Sequence, residues 1–156
     1  MIETCGNWSH DIGIQFSPQK CHFLGTTPEN RPHPIRLYGV DLPSAEVAPY
    51  LGLPFRQHGI DWNLLAKERS EKTRAVVSVL TPLGFNGMGW APASSVLIYK
   101  LFIRPVLEYG VALHVPSGKC LQSYETAQNN ALRSLLSVDR SSSAGAIRKL
   151  LQVESM

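Results

Sequence analysis

The spacing of apolar positions changes near residue 60, from alternation to a helical period. Residues 2–12 read as the last turns of a helix, with Trp8 and Ile12 four apart and no cap before them, as at a beginning cut out of something longer. Ile14-Gln15-Phe16 alternates, Ser17-Pro18 interrupts, and Lys20–Leu24 alternates again, a strand with Cys21 and Phe23 on one face. Thr26–Pro34 holds three prolines and reads as a loop. Ile35–Tyr38 is a second strand, with Gly39–Pro43 turn-like after it, and Pro49–Phe55 a third, centred on Tyr50-Leu51-Gly52-Leu53. Short strands with tight connections predict a small antiparallel sheet. Such a sheet is too small to bury its own core and must lean on the helical part or on missing protein.

From Asp61 the period is helical. Asp61 suits the cap of a first helix, followed by Trp62, Leu65, Ala66, Val76, Val77 and Leu80 on one face over about five turns. Pro82–Pro92 is glycine-rich and reads as a connector, with Phe85 and Met88 as anchors. Ala93–Leu113 is apolar nearly all round, the mark of a buried helix, with one polar stripe at Lys100, Arg104 and Glu108 and a kink expected at Pro105. Ser117–Val138 forms a third helix that buries Leu121, Tyr124, Gln128, Ala131, Leu132 and Leu135 and turns Gln122, Asn129 and Arg133 outward. A serine-capped helix over Ser143–Leu151 closes the pattern, with Ile147, Leu150 and Leu151 apolar. The fold class is therefore α+β, a small antiparallel sheet over residues 1–58 and a helical bundle over 59–156.

Composition narrows the function classes. Apolar residues make up 44% of the 156, enough for a core, which excludes a disordered chain. The net charge of +3 is uneven: residues 1–60 carry four Lys/Arg and five Asp/Glu, whereas 61–156 carry eleven and seven. The second part is the one suited to a polyanion, although a surplus of this size is also common on an ordinary solvated surface. The three cysteines, Cys5, Cys21 and Cys120, follow no disulfide framework and point to a reducing, intracellular setting, nucleus or cytoplasm. Cys5, His10, Cys21 and His22 lack zinc-ligand spacing. Lys100, Arg104 and Glu108 interrupt the apolar run Val96–Leu113, so a membrane span is not expected. The five histidines are scattered, and no nucleophile elbow, phosphate loop or zinc-protease motif occurs.

The order of motifs has a family likeness. A tryptophan-bearing helix precedes Ile14-Gln15-Phe16-Ser17-Pro18-Gln19-Lys20-Cys21, then Ile35-Arg36-Leu37-Tyr38-Gly39, Pro49-Tyr50-Leu51-Gly52 and Gly59-Ile60-Asp61-Trp62. Tyr99-Lys100-Leu101-Phe102-Ile103-Arg104-Pro105-Val106-Leu107-Glu108-Tyr109-Gly110 and Gln128-Asn129-Asn130-Ala131-Leu132-Arg133 follow. This series resembles the C-terminal part, end of palm plus thumb, of the reverse transcriptases of non-LTR (LINE-like) retrotransposons. The resemblance spans essentially the whole chain and rests on the ordered set, since Tyr-Leu-Gly alone is common. It implies an RNA-directed DNA polymerase fragment that holds an RNA/DNA template–primer duplex by backbone contacts and is completed by fingers and palm outside the chain. The family's catalytic hairpin, Tyr or Phe followed by any residue and two aspartates, is missing. Asp11, Asp41, Asp61 and Asp139 form no such pair. The resemblance thus implies Mg²⁺ only in the intact polymerase, no cofactor here, and an isolated chain without polymerase activity. The competing reading is a structural remnant of a decayed element with no ligand. An independent enzyme would need a cluster of acid, base and nucleophile, which is not visible.

Candidate contacts follow. Lys20 matches a family lysine near the incoming triphosphate, where an ammonium offsets negative charge on the leaving group, though a strand lysine can equally face solvent. Tyr50 and Gly52 match the region near the primer end, and a strand glycine also fits a bulge. Lys67, Arg69, Lys72 and Arg74 outnumber Glu68 and Glu71, either as a phosphate-facing surface or as a salt-laced solvent face. Arg69 falls in the apolar stripe and must pair, snorkel or meet a phosphate. Lys100 and Arg104 share the polar stripe, where Glu108 can satisfy Arg104. Arg133, with Asn129 and Gln122, suits duplex backbone contacts, and Arg148 and Lys149 can add to them.

Overall fold

A computed structural model describes residues 1–25 and 34–156. The loop expected over Thr26–Pro34 lies, but for Pro34, outside the described residues. The chain forms two compact units, Met1–Asp61 and Trp62–Met156. The division follows the last strand, at Gly59–Ile60, and so falls after Asp61 instead of after residue 58.

The first unit begins with α1 (Ile2–Asp11). The helix is present as expected, but Trp8 and Ile12 are exposed and the buried residues are Gly6 and Ser9. Gly6 lets α1 approach Tyr38, whose ring a Cβ at position 6 would meet at 3.5 Å. Ser9 Oγ donates to Gly6 O at 2.7 Å and shares a hydrogen bond with the Tyr38 hydroxyl. Among the described residues, seven strands of two to four residues follow: β1 (Phe23–Leu24), β2 (Arg36–Leu37), β3 (Val40–Asp41), β4 (Ser44–Ala45), β5 (Ala48–Tyr50), β6 (Leu53–Arg56) and β7 (Gly59–Ile60). They make three small sheets instead of the single antiparallel sheet expected. β2–β3 and β5–β6–β7 are antiparallel, and β1–β4 is parallel.

Turn chemistry explains the difference. Tyr50-Leu51-Gly52-Leu53 is a hairpin, with Leu51 and Gly52 at φ 50° and 72° between the paired Tyr50 and Leu53. Two central residues at positive φ make the turn that matches strand twist, and glycine reaches that region at little cost. Tyr38-Gly39, at φ 51° and 76°, joins β2 to β3 in the same way. Pro18 fixes φ and starts a 3₁₀ turn, Pro18–Lys20, with Lys20 N donating to Ser17 O at 3.0 Å. Lys20 therefore sits on a turn, and the strand expected from it begins only at Phe23.

The second unit is helical: α2 (Trp62–Leu80), α3 (Pro92–Ile98), a π turn (Tyr99–Ile103), α4 (Arg104–Glu108), α5 (Gly118–Leu136) and α6 (Ala144–Leu151). The expected kink takes the form of the π turn. Pro105 offers no N–H and its ring crowds the carbonyl four residues back, so the helix widens ahead of it. Tyr99, Ile103 and Leu107, four residues apart, are all buried. Tyr99 and Ile103 pack with Val77, Phe85, Leu132, Leu135, Ile147 and Leu151 in one core cluster, and Leu107 packs with Ala66, Cys120 and Tyr124 in a second. Leu97, Leu101 and Phe102 are exposed, so this segment is not covered all round as its composition demands. Phe85 anchors the connector, whereas Met88 is exposed. Leu121 is half-buried and Leu150 exposed, each at the edge of the stripe expected to cover it. Gln128 is buried and donates Nε2 to Glu154 O at 2.8 Å, tying the residues after α6 to α5. Ser143 caps α6 by accepting from Ala146 N at 3.4 Å.

Mixed helix and strand with small sheets is thus what the chain adopts, consistent with the α+β class. Among the described residues, no helix is long and apolar enough to cross a membrane.

Candidate nucleic-acid interface

α2 and α5 run in the same direction. Near their starts Cys120 Sγ donates to Trp62 O at 3.6 Å, and further along the Ser70 and Ser123 hydroxyls stand 3.2 Å apart. Along this side the two helices flank a groove of about 1020 Å³. Its α2 wall is Ser70, Thr73, Arg74 and Val77, with Thr81 just past the helix end. Its α5 wall is a stripe of small or polar residues, Ser123, Thr126, Ala127, Asn130 and Ser134, beside the stripe that faces the core. Small side chains on both walls keep the groove open. Arg74, Lys119, Arg133 and Arg140 line it against one carboxylate, Asp139.

The ionic state of this groove is set locally. Asp139 accepts from Ser141 N at 2.8 Å and Ser141 Oγ at 2.6 Å, and these bonds hold its carboxyl below the usual range. Arg133 is partly committed: Nη2 and Nε donate to Ser142 O at 2.9 and 3.2 Å, which pins the chain between α5 and α6. Arg74, Lys119 and Arg140 are exposed. By the 1.5 Å rise per residue, Lys119 and Arg133 stand about 20 Å apart along α5. Cations therefore mark both ends of a channel floored by hydroxyls and amides, and no aromatic ring lines it among the described residues.

The structure distributes the sequence candidates over several places. Arg74 and Arg133 line the groove. Lys67, exposed, lies seven residues before Arg74 and so on the same face of α2. Arg69 is 7% exposed, with its guanidinium 4.2 Å from the centre of the Tyr109 ring. Arg104 Nε pairs with Glu108 at 2.6 Å. Lys72 and Lys100 are exposed and stand outside the groove-lining set. Arg148 reaches towards Glu125 at 3.9 Å and Asn129 at 3.5 Å. Lys20, Tyr50 and Gly52 belong to the first unit, where Tyr50 is exposed on the hairpin and its ring meets Phe55 edge-on at 5.9 Å. Sequence reasoning missed Lys119 and Arg140. The small-polar stripe on α5, running at helical spacing next to the core stripe, is the signal that marks this side as a groove wall.

Three of the four aspartates have other bonding partners. Asp41 pairs with Arg36 and Asp61 with Arg56, each at 2.6 Å, and Asp139 is bonded to Ser141. Arg56 is also paired with Glu46, and these bonds raise its already high pKa. Among the described residues, no group of three or more His, Cys, Asp or Glu side chains is placed to hold a metal. Comparisons with protein-family models, curated proteins and solved structures find no match for the chain.

Proposed function

We propose that the chain is an end-of-palm and thumb segment of a reverse transcriptase of the non-LTR retrotransposon kind, and that it holds the backbone of an RNA/DNA template–primer duplex along the α2–α5 groove. The carrying observation is the groove, with four cations against one carboxylate on the unit that has eleven Lys/Arg and six Asp/Glu. Charge at both ends suits phosphates several nucleotides apart on a duplex backbone, and hydroxyls and amides between them suit phosphate and sugar contacts. A floor without aromatic rings favours a stacked duplex over splayed single-stranded bases. The ordered motifs from Lys20 to Arg133 support the family, in which the Tyr50-Leu51-Gly52 segment would stand near the primer end. The metal-holding aspartates belong to a stretch of the parent outside this chain, so binding and not polymerisation is the activity proposed.

Fluorescence anisotropy with a labelled RNA–DNA duplex tests this. A net of three groove cations gives a log–log salt slope of about −2.7, and dissociation constants on the order of 10⁻⁴–10⁻⁶ M are expected at physiological salt. The double variant Arg74→Ser/Arg140→Ser should flatten the slope by about 1.8. No binding at low salt, or an affinity indifferent to salt, would leave the chain as a remnant without a ligand.

A further inference from the structure

A second surface of the helical unit carries information independent of the basic groove. Val79 and Leu83 on the α2 side, and Leu97, Leu101 and Phe102 on the α3–π segment, are each between 56% and 64% exposed. They are not scattered. Phe102 meets Val76, Val79 and Leu80 in an apolar cleft of about 330 Å³. Leu97 and Leu101 are four apart on one helical face, and Leu101 adjoins Phe102. The segment is apolar nearly all round, a composition that belongs to a covered helix, yet this side is open.

We propose that this face is the isologous contact of a homodimer, with the α2–π face of one chain seated on that of a second copy. Two observations favour a second copy as the occupant. Side chains this large and this exposed leave on the order of 500 Å² of apolar surface open, near the upper end of what a monomer shows. Doubled across a two-fold axis, that reaches the roughly 1,000 Å² at which a contact counts as specific. The exposed rim charges also have both signs: Glu71 and Lys72 lie on the same face of α2 as Ala75 and Val79, and Lys100 adjoins Leu101. A surface that pairs with itself needs both a donor and an acceptor of charge, whereas a rim of one sign would repel its copy.

The test is sedimentation equilibrium of the full chain over a concentration series, without nucleic acid. The wild type should dimerise in the micromolar range. Phe102→Glu and Val79→Glu should each weaken dimerisation about a hundredfold. Leu150→Glu, at a 73% exposed leucine on α6, should leave it unchanged. Helical circular dichroism checks that each variant is folded, and Leu97→Glu replaces any that is not. A wild type monomeric at every concentration overturns the proposal, as does a dimer untouched by the face variants. Binding of the monomer to phosphatidylcholine vesicles, lost in Phe102→Glu, would assign the face to a lipid surface and also overturn it.

Discussion

Arg69 carries its guanidinium into the buried face of α2, where it lies over the Tyr109 ring at 4.2 Å. A cation on an aromatic face contributes about 0.5 kcal/mol when solvated and about 2 kcal/mol when dry. Here the cation is 7% exposed and the ring 45% exposed, which places the contact near ~1 kcal/mol. Arg69→Ala also removes a stem packed beside Leu65, Ala66 and Thr73, so its total cost should be about 2–3 kcal/mol. Arg69→Met keeps the stem and gives up the contact with the ring, and should cost about 1 kcal/mol. Urea unfolding followed by circular dichroism measures both. A double-mutant cycle with Tyr109→Leu isolates the ring contact, with a coupling of about 1 kcal/mol expected. Suppose instead that Arg69→Met proves as damaging as Arg69→Ala and the coupling falls below about 0.3 kcal/mol. The side chain would then be held by something other than packing and the ring, and both assignments would be refuted. The same variants separate structure from binding, because a buried Arg69 has no phosphate to give up, and duplex affinity of Arg69→Met should match wild type.

Arg133→Lys should destabilise the unit by about 1.5–3 kcal/mol, since an ammonium cannot reproduce the two N–H bonds to Ser142 O, and hydrogen exchange should show α6 loosening first. Burial pushes the Tyr124 hydroxyl up to about 12, with Cys120 adding to the rise. The neutral form is the one the fold prefers, so this contribution is complete below the ordinary phenol value near ~10 and is lost as pH rises from about 10 to about 12. Ultraviolet titration of wild type against Tyr124→Phe checks it, and a Tyr124 phenol that ionises near its ordinary value in the folded chain would contradict the burial.

Helical periodicity was readable wherever an element was long enough to show it. α2 and α5 each run nineteen residues, and the stripe from Tyr124 to Leu135 is buried as the spacing demands. The Ser143 cap was readable because it is local chemistry. The strands were readable only in part: β1 and β2 lie inside segments read as strands, but the segment Pro49–Phe55 is a hairpin, because a turn with Leu51 at positive φ carries no compositional signal and leucine by type does not announce one. The site was half readable. Arg74 and Arg133 stand out as charges on helix faces, while Lys119 and Arg140 join them only through the packing of α2 against α5, which no local pattern encodes.

The π turn has a consequence for how this chain tolerates changes of length. A five-residue loop of wider helix holds one residue more than an α-helical path over the same span. Tyr99, Ile103 and Leu107 keep their shared inward direction because that surplus is absorbed locally. Removing one residue there would let the helix relax to ordinary winding, at the expense of the outward pose of Phe102. The same deletion inside α5 has no reservoir to draw on: it would rotate every later inward side chain by about 100° and take the core with it.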